Sequence, residues 1–67
     1  MNNLWKFEHE RVEVICTDGQ VLRGVVGDYI DADDNEPPKE SIVLDLFEGG
    51  YPTEIFGDEI MSVEVLE

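Results

Sequence analysis

Residues 11–30, RVEVICTDGQ VLRGVVGDYI, decide the fold. From Arg11 to Thr17, the residues Val12, Val14 and Cys16 alternate with Arg11, Glu13 and Thr17, and only Ile15 interrupts the alternation. That period of two marks a strand with one buried face. Asp18-Gly19 comes next and is a strong hairpin signal, because glycine takes positive φ without steric cost and aspartate tolerates it. A return strand must follow, and Gln20 to Ile30 supplies it with Val21, Leu22, Val25, Val26, Tyr29 and Ile30. Gly24 and Gly27 fall inside this run. Glycine weakens a strand unless the strand bends or another backbone approaches closely, so the pair predicts a long, strongly curved strand.

Working outward, residues 31–40 combine charge, Asn35 and the Pro37-Pro38 pair, a composition that stops regular pairing and predicts a projecting, solvated loop. Ser41 to Phe47 is almost continuously apolar, as a buried central strand requires. Glu48-Gly49-Gly50 reads as a turn. Tyr51 to Phe56 reads as a fourth strand, with Pro52 near its start, where a missing backbone donor does least harm. Gly57-Asp58-Glu59 breaks the chain, and Ile60 to Leu66 forms a fifth strand with Val63 and Val65 alternating against Ser62 and Glu64. Upstream, residues 1–10 suggest a short helix or turn with Asn2 or Asn3 as N-cap and Leu4, Trp5 and Phe7 as packing positions. There is no βαβ crossover. The expected architecture is all-β: one domain over residues 1–67, with a helix or turn at 1–10 and a small five-stranded, strongly bent antiparallel barrel at 11–66.

Composition narrows the partners. Sixty-seven residues allow one small domain, and a 42% hydrophobic content is too high for a disordered acidic tail. A core of this size supplies only about 3–5 kcal/mol, so self-association is expected. Seventeen acidic residues against four basic ones give a formal net charge of −13. Lys6, Arg11, Arg23 and Lys39 are scattered rather than clustered, which disfavours general phosphate binding and attraction to anionic membranes. No apolar stretch reaches the roughly 20 residues of a membrane-spanning helix. The first residues lack a basic region followed by an apolar run, so the expected compartment is the cytoplasm. Cys16 has no second cysteine to pair with, and neither a metal site nor a cofactor is expected.

Two stretches resemble the paired signatures of the Sm and Sm-like proteins. Val12 to Tyr29 is similar to the first in its Asp18-Gly19 turn, in Gly24 five residues beyond, and in the aromatic Tyr29 five residues after that. Ile55-Phe56-Gly57-Asp58-Glu59-Ile60-Met61-Ser62-Val63 is similar to the second, in which a hydrophobe and an Arg-Gly pair precede a hydrophobic last strand. The resemblance implies an N-terminal helix followed by a bent five-stranded barrel. It also implies a homo-oligomeric ring of six or seven subunits joined edge to edge through the fourth and fifth strands, which would remove two exposed sheet edges. In the family, RNA is held by an aromatic and an Asn after the second strand and by the Arg of the second signature. Tyr29 matches the aromatic and Gly57 the glycine. Phe56 stands where the family has Arg, Asp34 falls at the Asn position, and Asn35 comes one residue later. Losing the Arg removes a charge-assisted donor, and an Asp repels phosphate.

Other constellations carry little chemistry. Asp31, Asp33 and Asn35 alternate as a calcium loop begins, but Glu36 occupies the position that needs glycine and Ile42 the one that needs a bidentate Glu. His9 lies between Glu8 and Glu10 with no nucleophile beside it, Cys16 belongs to an apolar face, and Ser41 and Ser62 have no histidine in a recognisable pattern, so no enzyme is expected. The aromatics Trp5, Phe7, Phe47 and Tyr51 read as core or subunit contact. Tyr29 and Phe56, which the resemblance brings together at the ring's inner edge, could stack a base. The leading expectation is a non-enzymatic binding or scaffold module whose acidic surface, Asp28, Asp31, Asp33, Asp34 and Glu36, engages a basic protein partner. This use resembles that of acidic Sm-like inhibitors of the Rho terminator, which dock on a basic RNA-binding surface. The alternative is an RNA-binding ring with Tyr29, Asn35, Phe56 and Gly57 as its pocket.

Overall fold

A computed structural model describes residues 3–67. Five strands, β1 (Arg11–Cys16), β2 (Val21–Ile30), β3 (Ser41–Leu46), β4 (Thr53–Phe56) and β5 (Ile60–Val65), follow a 3-10 turn at Leu4–Phe7. All pairings are antiparallel, in one sheet of order β4-β3-β2-β1-β5. Every predicted strand is present, each trimmed at one end by one or two residues.

β2 organises the sheet. Val21–Val25 pair with β1 and Gly24–Ile30 pair with β3, so the two ladders share only Gly24 and Val25. A strand whose two halves serve different partners must bend where they meet, and the glycines allow it. A Cβ placed on Gly24 would lie 2.2 Å from the Asp45 carbonyl oxygen, closer than any real side chain tolerates. At Gly27 the register with β3 shifts by one residue between Val26 and Asp28, forming a bulge that increases the local twist. Beyond β1, the backbone of His9 and Glu10 continues the ladder: His9 N–H donates to the Val26 carbonyl (2.7 Å) and Val26 N–H to that of Glu10 (3.0 Å).

The sheet folds around an aliphatic core of Leu4, Val12, Val14, Cys16, Val26, Ile42, Leu44, Ile55 and Ile60. The alternation in β1 is that of the sequence: Val12, Val14 and Cys16 are buried, with Arg11 exposed and Glu13 and Ile15 half-buried. Leu4 is fully buried and plugs one end of the sheet, and full burial of each such side chain contributes about 1.5–3 kcal/mol.

Barrel closure is not seen among the described residues: β4 and β5 are the two edges of the sheet and form no ladder with each other. The 3-10 turn Gly57–Glu59 explains why, since Gly57 N–H donates to the Glu40 carbonyl and Thr17 N–H to that of Glu59, both through backbone groups. The turn thereby passes from the start of β3 to the end of β1 and delivers each edge strand to a different neighbour. At the N-terminus the expected helix or turn is a 3-10 turn; Asn3 holds the cap position at φ 68° without a side-chain cap bond, and the alternative cap, Asn2, lies outside the described residues. Of the aromatics expected in the core or at subunit contacts, Trp5, Phe47 and Tyr51 are exposed in the single chain, while Phe7, like Tyr29, packs partly against the core. Phe47 instead lies under the Arg11 guanidinium, 4.7 Å from the ring centroid.

Because rigid backbone opposes a Cβ at Gly24, the Gly24→Ala variant is expected to lose about 3 kcal/mol or more in chemical denaturation. At Gly27 the obstacle is the Asp45 carboxylate, which can rotate away, so Gly27→Ala is expected to lose clearly less. Equal midpoints for the two variants would contradict the β2–β3 register.

Candidate functional site

The residues singled out by sequence gather where β2 ends, β3 begins and β4 ends. Tyr29 faces Ile42 across β2–β3, and Ile42 faces Ile55 across β3–β4, so Tyr29 extends the core row. Its hydroxyl donates to Glu40 Oε1 at 3.0 Å. Glu40 also meets Gly57: a Cβ on that glycine would lie 3.3 Å from Glu40 Cγ and 3.5 Å from Leu4 Cδ1. Tyr29 and Gly57 therefore converge on one carboxylate. Burial first, and the bond to Glu40 second, push the Tyr29 phenol up to about 12. Phe56 belongs to the neighbouring row, opposite Ser41, which in turn faces Ile30. Adjacent rows of a pleated sheet point to opposite faces, so within one chain Tyr29 and Phe56 are not brought together.

Asn35 is turned inward to the sheet. Its amide nitrogen donates to the Lys39 carbonyl (2.8 Å), to Ser41 Oγ (3.0 Å) and to Glu54 Oε2 (3.3 Å). Ser41, fully buried, donates its own hydroxyl proton to Glu54 Oε2 at 2.7 Å. An amide carries two protons, so both are committed to these three acceptors. Asn35 thus fastens the far end of the loop to β3 and β4. The side-chain partners of Tyr29 and Asn35, namely Glu40 for the first and Ser41 and Glu54 for the second, were not among the sequence candidates. A serine opening an otherwise apolar strand was the available sign of Ser41, whereas Glu40 and Glu54 looked like two of many surface acids.

The five loop acids, Asp28, Asp31, Asp33, Asp34 and Glu36, are all exposed. Asp28 Oδ1 accepts the Tyr29 N–H (2.8 Å), and Asp31 Oδ1 accepts the Asp33 N–H (3.3 Å), capping a 3-10 turn at Ala32–Asp34. Among the described residues none of the five has an ion pair, because the cations are engaged elsewhere. Lys39 pairs with Asp58 and Arg23 with Glu13, both at 2.8 Å, while Lys6 lies over Phe7 and Arg11 over Phe47. The Asp58 carboxylate holds the Lys39 ammonium above its ordinary range. Among the described residues no three His, Cys, Asp or Glu side chains converge as metal ligands would. His9 is exposed, takes φ 70°, and has its Nε2 3.9 Å from Glu8 Oε2.

Comparison with protein-family models, with curated proteins and with solved structures gives no match to this chain.

Two measurements check this geometry. Asn35→Ala removes the donors that satisfy buried Ser41 and the Lys39 carbonyl and is expected to cost about 1–3 kcal/mol, read by denaturation. The phenol is held neutral in the fold, whereas the unfolded chain ionises near the ordinary value of about 10. Stability from Tyr29 is therefore complete below that pH and is lost as pH rises toward 12. In a Tyr51→Phe background, titration at 295 nm is expected to place Tyr29 well above 10, and Glu40→Gln to bring it down.

Proposed function

We propose that the chain is a divergent Sm-like module that assembles as a homo-oligomeric ring and works without catalysis, its acidic loop engaging a basic protein partner. The observation that carries the reading is the state of the loop carboxylates. Five negative groups within nine residues are exposed and unpaired among the described residues, while all four cations are occupied with other groups. Such a surface lowers its free energy by meeting positive charge from outside, and complementarity of this kind raises encounter rate and selectivity.

The Sm-like assignment is supported by the curved two-glycine β2, the turn at Gly57 and the placement of β4 and β5 at opposite sheet edges. Ring formation is favoured by those same edges. Unpaired strands invite pairing, and β5 exposes Met61 and Val65, which a neighbouring β4 would help to cover. Six or seven subunits would repeat the acidic loop around the assembly and multiply its field.

For the alternative, an RNA-binding ring, the pocket residues are less suited. The Tyr29 hydroxyl is bound to a carboxylate, the Asn35 donors are occupied, and Phe56 offers a π-face without charge. A ring could still join Tyr29 of one subunit to Phe56 of the next.

The deciding experiment compares the intact protein with a variant carrying Asp31→Asn, Asp33→Asn, Asp34→Asn and Glu36→Gln. Pull-downs from lysate of the source cells at low and high salt are expected to retain basic proteins on the intact chain at low salt only, and to lose them in the variant. Submicromolar binding of uridine-rich or adenosine-rich oligonucleotides, abolished by Tyr29→Ala, would overturn the protein-partner reading. Sedimentation at micromolar concentration is expected to show an assembly, and a stable monomer would remove the ring.

A further inference from the structure

Away from the acidic loop, the open side of the sheet leaves a cleft of about 240 Å³ between the β1–β2 hairpin and β4. It is smaller than the roughly 300–1,000 Å³ that drug-sized ligands occupy, so it suits a single side chain or a group of that size. Its base is apolar: Cys16 and Ile55 are buried and Leu22 half-buried. Of the three exposed carboxylates in its lining, Glu54 is engaged by Asn35 and Ser41, which leaves Asp18 and Glu59, and none of its lining residues is basic. Each of these two carboxylates uses one oxygen locally. Asp18 Oδ1 accepts the Gln20 N–H at 3.0 Å and Glu59 Oε1 the Phe56 N–H at 3.1 Å, which leaves Oδ2 and Oε2 without a protein donor among the described residues.

The interior is also unfinished. Cys16 is 7% exposed, lines the cleft and has no hydrogen-bond partner for its thiol among the described residues. Burial, then Asp18, then Glu59 push that thiol up, which keeps the sulfur an uncharged, weakly polar contact rather than a nucleophile. An apolar, sulfur-lined base beneath a negative mouth matches a group with an apolar stem and a cationic end, since lysine and arginine bury their methylenes while keeping the charge outside. We propose that this cleft receives one lysine or arginine side chain of a basic protein partner, its stem against Leu22 and Ile55 and its cationic head between Asp18 and Glu59. The inference rests on the reading of the chain as a binder of basic proteins, and adds a specific pocket on a different part of the surface from the acidic loop.

The test is an NMR titration of the full, nitrogen-15-labelled protein with three blocked tripeptides, Gly-Arg-Gly, Gly-Lys-Gly and Gly-norleucine-Gly. The two cationic peptides are expected to shift amides of residues 16–22 and 53–59 saturably, and the norleucine peptide to leave them in place. Asp18→Asn keeps an oxygen for the Gln20 N–H while removing the charge, and is expected to weaken binding about two- to fivefold. Glu59→Gln, which keeps the acceptor for Phe56, repeats the measurement should the first variant fold poorly. Equal shifts from the norleucine peptide, or no shifts in the cleft, would overturn the proposal. Shifts confined to residues 28–36 would also overturn it while leaving the acidic-loop reading intact; cleft shifts alongside an unaffected loop-variant pull-down would do the reverse.

Discussion

The contact of β2 with β3 at Gly24 is the constraint on which the other pairings depend. With no side chain to hold it off, the β2 backbone closes on the Asp45 carbonyl, and the strand turns from one partner to the other within two residues. That bend lets a sheet of only five strands enclose an interior at all, by bringing Val26, Ile42 and Leu44 over Val12 and Val14. It also places the end of β2 beside Glu40 and the start of β3, and so fixes where the long loop leaves and rejoins the sheet. Larger residues at this point would keep the strands while flattening the sheet, and the aliphatic core would lose its cover.

The charge is arranged as unevenly as the backbone. Glu13 faces Glu64 directly across β1–β5, a repulsive pair eased by Arg23 on the other side of Glu13. Elsewhere the few cations stabilise local structure: Lys39 ties the loop's end to the turn before β5, and Arg11 covers an exposed ring. What is left over is negative, and concentrated at the loop and, more sparsely, at the hairpin tip. Single interactions among exposed charges are worth little, so the fold tolerates this imbalance because its stability rests on buried aliphatic area.

Much of the fold was legible in residues 11–30, because alternation, an Asp-Gly turn and in-strand glycines each have a local physical cause. The strand positions downstream followed from apolar runs between turn signals for the same reason. How the chain delivers β4 and β5 to opposite edges was less legible. Whether β4 meets β5 depends on how the Gly57–Glu59 turn is anchored, through backbone bonds to Glu40 and Thr17 that leave no mark on side-chain pattern. Aromatic exposure also escaped the sequence, since size and hydrophobicity favour burial, whereas this core has room chiefly for branched aliphatics. At the site, Tyr29 and Asn35 were visible as residue types, but their roles were set by partners 6 to 19 residues away, Ser41, Glu40 and Glu54. Acids so abundant in the sequence gave no sign of which two would face inward to a hydrogen bond.

The order of the strands has a consequence for how the chain comes into being. β1 is flanked by β2, which follows it at once, and by β5, which comes roughly 50 residues after it. During synthesis the hairpin can form early, yet one flank of β1 stays open until residues 60–65 have been made, a wait of several seconds at typical translation rates. Through that interval Arg11 and Glu13 stand on the strand itself, and charged residues on a waiting edge discourage it from recruiting another chain. The net negative charge, whatever it recognises in the finished protein, also keeps nascent copies apart while their last strand is still missing.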